Sequence, residues 1–196
     1  MLTIFYNKAS LNDTLIINTN KGSNISIKEG HDYCYGLNDQ HEVTFINIFN
    51  VSKKMSLPDG YLCLYMNMID MVKNVTGISL TYDEYPIVVG KVNECREITG
   101  THLHECKVDI GAKELNIVCG AKNIKLGLLV TVAMVGATLP NGLVIKPGKL
   151  MGKESSGMIC SAHELDLKKH SFNTEGIIEL PTTFKIGEPF MLVFNN

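Results

Sequence analysis

Val88-Val89-Gly90-Lys91-Val92-Asn93-Glu94, Leu103-His104-Glu105-Cys106-Lys107-Val108-Asp109-Ile110, Leu115-Asn116-Ile117-Val118 and Leu128-Leu129-Val130-Thr131-Val132-Ala133-Met134-Val135 decide the fold. The first two runs alternate with the period of two that a β-strand imposes on its side chains. The third is short and apolar; the fourth is longer and apolar. Turn signals separate them: Thr99-Gly100, Ile110-Gly111, Leu126-Gly127, Pro140-Asn141-Gly142 and Pro147-Gly148. Short strands at such regular spacing predict a small barrel or sandwich. Asn141-Gly142 between apolar flanks predicts a type I′ hairpin turn.

Upstream the pattern is mixed. Thr3–Tyr6, Leu15–Asn18, His31–Leu37 and Glu42–Asn50 are strand candidates. Leu57-Pro58-Asp59-Gly60 is punctuation, after which Tyr61, Leu62, Tyr65, Met68, Ile69 and Val72 recur at helical spacing, so a helix is expected to about Asn74. Met66, Met68 and Met71 are expected to fill core. Strands with one helix make a small α+β unit over residues 1–80, with the boundary between Gly77 and Pro86. Downstream, Ile177–Leu180 and Phe190–Phe194 are further strand candidates, returning to the first unit or covering the barrel.

The chain has 196 residues, 45% apolar and 19% charged, enough apolar content for a packed core and too little charge for disorder. No stretch approaches the roughly 20 apolar residues of a membrane-spanning helix. No basic start followed by an apolar run marks a signal peptide, so a cytoplasmic protein without a membrane partner is expected. The six cysteines include no CxxC pair and are expected to be reduced, half-buried thiols.

The net charge of −2 hides an asymmetry. Residues 1–90 hold 6 Lys against 9 carboxylates, and residues 91–170 hold 11 Lys or Arg against 8. The middle of the chain is therefore the part a polyanion prefers. Within it, Lys146, Lys149 and Lys153 stand beside Ser155, Ser156, Gly152, Gly157 and Met158. The lysines suit phosphates, the hydroxyls suit ribose, the glycines permit close approach, and the Met158 thioether suits a flat base. The same residues are also consistent with a solvated loop and a core methionine. In Gly120-Ala121-Lys122-Asn123, Asn123 offers an amide to a base edge or ribose, or supports a plain turn.

Enzyme signals are weak. His102, His104 and Cys106 alternate and would share one face of a strand, with Cys119 or Cys160 as further ligands, yet their spacing matches no closed zinc pattern. Neither GxxxxGK[ST] nor GxGxxG occurs, so neither nucleotide hydrolysis nor a dinucleotide cofactor is supported. No cofactor, metal or catalytic residue is expected.

Residues from about Val88 to Leu167 resemble the tRNA-binding OB-fold near the N-terminus of the β subunit of bacterial phenylalanyl-tRNA synthetase. The same domain is similar to free-standing tRNA-binding proteins and to the C-terminal part of methionyl-tRNA synthetases. The matching pieces are Val89–Val92, Leu103–Gly111, Ile117–Asn123, Val132–Ala137 and Lys149–Leu167. With an α+β unit ahead of the barrel, the whole chain looks like the stand-alone YtpR type. The resemblance implies a five-stranded barrel that binds tRNA by shape and backbone. It also places Lys149, Gly152, Ser156, Gly157, Met158 and Asn123 on the binding face. Two departures stand out. Leu150-Met151-Gly152 replaces the usual Leu-Arg-Gly, and Met cannot fork to a phosphate as Arg does. Ile98-Thr99-Gly100-Thr101-His102-Leu103 replaces the usual His-Pro-x-Ala-Asp-Lys-Leu, with the loss of a proline and a lysine.

The expectation is a mainly β chain: a small α+β domain over 1–80, an OB barrel over 85–170, and C-terminal strands over 171–196 that complete the packing. The barrel is expected to bind tRNA without catalysis through Asn123, Lys122, Lys146, Lys149, Lys153, Ser155, Ser156 and Met158. The rival is a protein-interaction module that docks an aminoacyl-tRNA synthetase and has lost most RNA affinity. Whether the chain forms a homodimer is open, since no heptad or apolar stripe in the sequence declares a contact surface.

Overall fold

The computed structural model describes residues 2–61, 66–80, 85–167, 172–173 and 175–190. The chain divides into two compact units, one built on residues 2–80 and one on residues 85–139 and 143–190.

The first unit is an antiparallel sheet of six strands: β1 (Thr3–Asn7), β2 (Thr14–Asn18), β3 (Ser26–Glu29), β4 (Tyr33–Leu37), β5 (Val43–Ile48) and β6 (Gly60–Tyr61). Their spatial order is β3-β4-β5-β2-β1-β6. Ile4, Tyr6, Leu15, Ile17, Ile46 and Ile48 alternate onto one face and are buried there, which is the period-two pattern acting as expected. One helix, α1 (Met66–Thr76), buries Met68, Met71 and Val72. Tyr61, expected at the start of the helical pattern, pairs instead with Phe5 as the end of β6. Leu62 and Tyr65 lie outside the described residues. β3 was not anticipated; its only apolar residue, Ile27, is exposed.

The second unit is a five-stranded barrel of the OB type. Its strands are β7 (Ile87–Glu97), β8 (His104–Asp109), β9 (Glu114–Cys119), β10 (Leu129–Met134) and a fifth, here β13 (Gly157–Ile159), in the order β13-β10-β7-β8-β9. Between β10 and β13 stands a separate hairpin of β11 (Gly148–Leu150) and β12 (Lys153–Ser155). Ser156 N donates to Asn116 O at 2.8 Å and so ties the β12–β13 segment to β9, all but closing the barrel.

β7 serves two partners. Residues 87–91 pair with β10, and residues 91–97 pair with β8. A bulge between Val92 and Glu94 bends the strand from one neighbour to the other. At Gly90 a Cβ would stand 2.7 Å from both Val108 Cγ1 and Val132 Cγ2, so only glycine lets three strands meet at this density. Val88, Val92, Cys106, Val108, Ile117, Val130, Val132 and Ile159 fill the interior.

Residues 172–173 and 175–190 lie along the barrel rather than forming regular strands. Leu180 N donates to Leu129 O, Gly187 N to Val89 O and Phe190 N to Ile87 O, at 2.8, 2.8 and 3.0 Å. The strand expected over 177–180 is thus reduced to isolated bridges, Ser161 with Ile177 and Leu129 with Leu180. The part of the 190–194 expectation beyond Phe190 lies outside the described residues.

The type I′ turn occurs, but not at Asn141-Gly142. There Leu139 N donates to Leu143 O at 2.9 Å across three residues, and only Gly142 has a positive φ, 84°. Three-residue hairpin loops use a single left-handed residue, which glycine supplies. The primed two-residue turn joins β11 to β12 instead, with φ of 49° at Met151 and 77° at Gly152.

Candidate nucleic-acid interface

The segment carrying most of the expected site residues is the β11–β12 hairpin and its continuation into β13. It is ordered by cross-strand pairing, Gly148 with Ser155, Lys149 with Glu154 and Leu150 with Lys153. Its residues were expected in a loop. Strands of three residues rich in Gly and Lys show too few alternations for periodicity to reveal them.

Each expected site residue has a definite place. Lys149 and Lys153 are solvent-facing, and both are matched by acids. Lys149 Nζ lies 3.6 Å from Glu154 Oε1, and Lys153 Nζ lies 2.9 Å from Glu105 Oε2 on β8. Among the described residues, Lys122, Lys125 and Lys146 form no ion pair. Ser155 is buried. Its hydroxyl accepts from Val118 N and donates to Gly157 O, both at 3.2 Å, so it helps close the barrel. Ser156, with Pro147, Gly148, Lys149, Glu154 and Ser155, lines a cleft of about 440 Å³. Met158 lies in a second cleft of about 490 Å³ with Gly120, Ala121, Ser161, His163, Glu164 and Ile177 among its walls. The structure therefore distributes the expected residues over two clefts.

Asn123 follows β9 in the loop that contributes Gly120 and Ala121 to the second cleft. Its Oδ1 accepts from Ile177 N at 3.0 Å, while its Nδ2 donates to Ile177 O at 2.9 Å and to Glu179 Oε1 at 3.0 Å. The amide is engaged by the chain's own C-terminal segment.

Sequence reasoning overlooked the acids. Glu105 and Glu154 set the charge that Lys153 and Lys149 present. Glu94 likewise takes Arg96 Nη2 at 2.7 Å and Lys107 Nζ at 2.9 Å, and the hydrogen bond from Lys107 holds its carboxyl below the usual range. A like-charge count over 91–170 misses this local neutralisation. Glu164 was also overlooked, although Ser161-Ala162-His163-Glu164 has capping-box spacing: Glu164 Oε2 accepts from Ser161 N and Oγ at 2.7 Å each, and Ser161 Oγ accepts from Glu164 N at 3.2 Å.

The alternating His102, His104 and Cys106 do not form a ligand set. Cys106 points into the core, its Sγ 3.9 Å from Cys95 Sγ, and burial pushes the thiols of Cys106 and Cys119 up, toward the protonated form that does not bind metals. Among the described residues no three His, Cys, Asp or Glu side chains are grouped to hold a metal ion.

The hairpin tip is apolar. Leu150 is 45% exposed and Met151 is 65% exposed. A left-handed φ at a side chain other than Gly, Asn or Asp costs on the order of 1–2 kcal/mol, so Met151 holds its place against a local preference.

Residues 87–189, spanning the five strands, the hairpin and the C-terminal bridges, match the family described as "Putative tRNA binding domain". The chain belongs to this family. It is similar to "Putative tRNA-binding protein YtpR" of Bacillus subtilis, 36% identical over 200 residues that cover 96% of this chain and 99% of the relative. It is similar over its whole length to "Uncharacterized protein MG449" of Mycoplasma genitalium, 33% identical with 90% of the relative covered. The barrel is also similar to part of the phenylalanine–tRNA ligase β subunit of Nitratidesulfovibrio vulgaris, 50% identical over 104 residues that make up 13% of that protein. In this tRNA-binding family the chain is of the YtpR kind, with a β-sheet domain ahead of the barrel. Among the described residues no helix is long and apolar enough to cross a membrane.

Proposed function

We propose that this protein binds tRNA without catalysing a reaction, through the glycine-rich hairpin face of its OB barrel. The observation that carries this is the family match over residues 87–189. Lys122 and Lys146 offer ammonium groups free of ion pairs. Lys149 and Lys153 exchange Glu154 and Glu105 for phosphate oxygens, a trade favoured at low salt because condensed counterions are released from the RNA. Ser156 and Met158 line the two flanking clefts and meet ribose and base edge there. Ser155 and Asn123 act through the protein, the first by closing the barrel and the second by fastening residues 177–179. A cytoplasmic location follows from the partner, tRNA.

Filter binding of tRNA at low and at physiological salt tests this. Wild-type protein is expected to retain tRNA, more strongly at low salt, and a Lys149→Ala, Lys153→Ala double variant is expected to lose most of that retention. Wild-type retention no better than that of a neutral control protein of similar size removes the proposal.

A second reading is favoured by the paired state of Lys149 and Lys153. A face whose cations are already matched is weakened for RNA and suited to a protein, here an aminoacyl-tRNA synthetase, with or without a second copy of this chain. Co-purification with a synthetase that survives ribonuclease treatment supports that reading, and co-purification that ribonuclease abolishes supports tRNA.

A further inference from the structure

The tip of the β11–β12 hairpin carries a feature that phosphate binding leaves unexplained. Leu150 and Met151 are 45% and 65% exposed at the turn of the two-stranded hairpin. The turn is a tight primed one, so the tip is a fixed shape rather than a mobile loop. Residues 146–154 supply three lysines around it, of which Lys149 is paired with Glu154 and Lys153 with Glu105 of β8, which leaves a net positive charge. An apolar point in a cationic collar matches one surface chemistry well, an unstacked nucleobase whose own and neighbouring phosphates lie to either side.

We propose that Leu150 and Met151 form a base-contacting tip, with the polarizable Met151 thioether lying against the face of an unpaired base in a structured RNA. This rests on the tRNA-binding reading above and adds a salt-independent, single-strand-seeking term to it. The net charge favours RNA over a protein groove: Lys146, Lys149 and Lys153 outnumber Glu154 and Glu105, the two carboxylates paired with Lys149 and Lys153. Base contacts of this kind are sequence-tolerant, since every base offers a π-face. They also discriminate against continuous duplex, where no base is free.

The test is a salt series of tRNA binding by fluorescence anisotropy, from about 50 mM to about 200 mM salt, on folded variants. Met151→Asn suits the left-handed turn position better than methionine, so its melting temperature is expected to hold or rise. It is expected to weaken tRNA binding about five- to tenfold at every salt concentration, with the slope of log affinity against log salt unchanged. Leu150→Thr, which keeps β propensity, is expected to behave alike, and Lys149→Ala is expected to make the slope shallower by about one. On a fully paired RNA duplex the two tip variants are expected to match the wild type. Tip variants that bind tRNA as the wild type does, or whose loss scales with salt, overturn the base contact and leave the RNA-binding face standing. Wild-type protein that does not bind tRNA overturns both.

Discussion

Asn123 grips Ile177 by both of its backbone polar groups: Oδ1 accepts from Ile177 N at 3.0 Å, and Nδ2 donates to Ile177 O at 2.9 Å. A side-chain amide here does what a neighbouring strand would do, and it holds residues 177–179 on the barrel. Asn123→Ala removes both bonds and strands Ile177 N, while Ile177 O keeps the bond that Asn173 Nδ2 donates at 2.7 Å. A loss of about 1–3 kcal/mol in the stability of the barrel unit is expected by urea denaturation. Asn123→Asp keeps the acceptor but aims a carboxylate at Ile177 O and Glu179, and is expected to cost at least as much near neutral pH. If both variants are as stable as wild type yet bind tRNA weakly, Asn123 touches the RNA itself.

That contact marks where sequence ceased to be enough. Asn123 and Ile177 are 54 residues apart, and nothing in either neighbourhood names the other. The long barrel strands were legible because a buried face enforces alternation over five or more residues, as in β8 with Cys106 and Val108 inward. β3 was not, since Ile27 is exposed and an edge strand with a solvated face carries no pattern. The hairpin was not, since its pairing is fixed by a turn and not by burial. Lys149 and Lys153 were found from local density alone. The acids facing them needed coordinates, Glu105 most of all because it comes from another strand.

Glu105 restrains Lys153 through a 2.9 Å ion pair in which both partners are partly exposed. Such pairs contribute about 0.2–1 kcal/mol, so breaking this one is a small barrier to a phosphate. Glu105→Gln is expected to leave stability nearly unchanged and to tighten tRNA binding about two- to fivefold, by freeing the ammonium group and removing a negative charge. Glu42→Gln, which loosens Lys21 in the sheet domain, is the control. Equal affinities for Glu105→Gln and wild type would show that Lys153 does not meet the RNA.

Gly90 sits where β7 passes between β8 and β10, with Val108 and Val132 methyl groups 2.7 Å from an added Cβ. Both valines are fully buried and β-branched, so they cannot turn aside cheaply. Gly90→Ala is expected to destabilise the barrel unit by about 1–3 kcal/mol through overpacking. Pairing it with Val132→Ala makes room, and the double variant is expected to be less destabilised than the two single effects combined. Full additivity in urea titrations would refute the steric account.

Asp32 gives the sheet domain a pH signature. Its carboxylate accepts from Lys54 Nζ at 2.6 Å and Asn50 Nδ2 at 3.1 Å, and these bonds, Lys54 first, draw its pKa down to about 2. In the unfolded chain the group titrates near the ordinary value of about 3.9. Above that pH both states are ionised and the stabilisation is complete. As pH falls from about 4 toward 2 the unfolded state takes up its proton first, and the stabilisation drains away. Asp32→Asn is therefore expected to be less stable than wild type at neutral pH, with the gap closing by about pH 2. Chemical denaturation of both proteins at several pH values measures the gap, and a gap that stays constant across that acid range would mean that the charge on Asp32 contributes nothing to the fold.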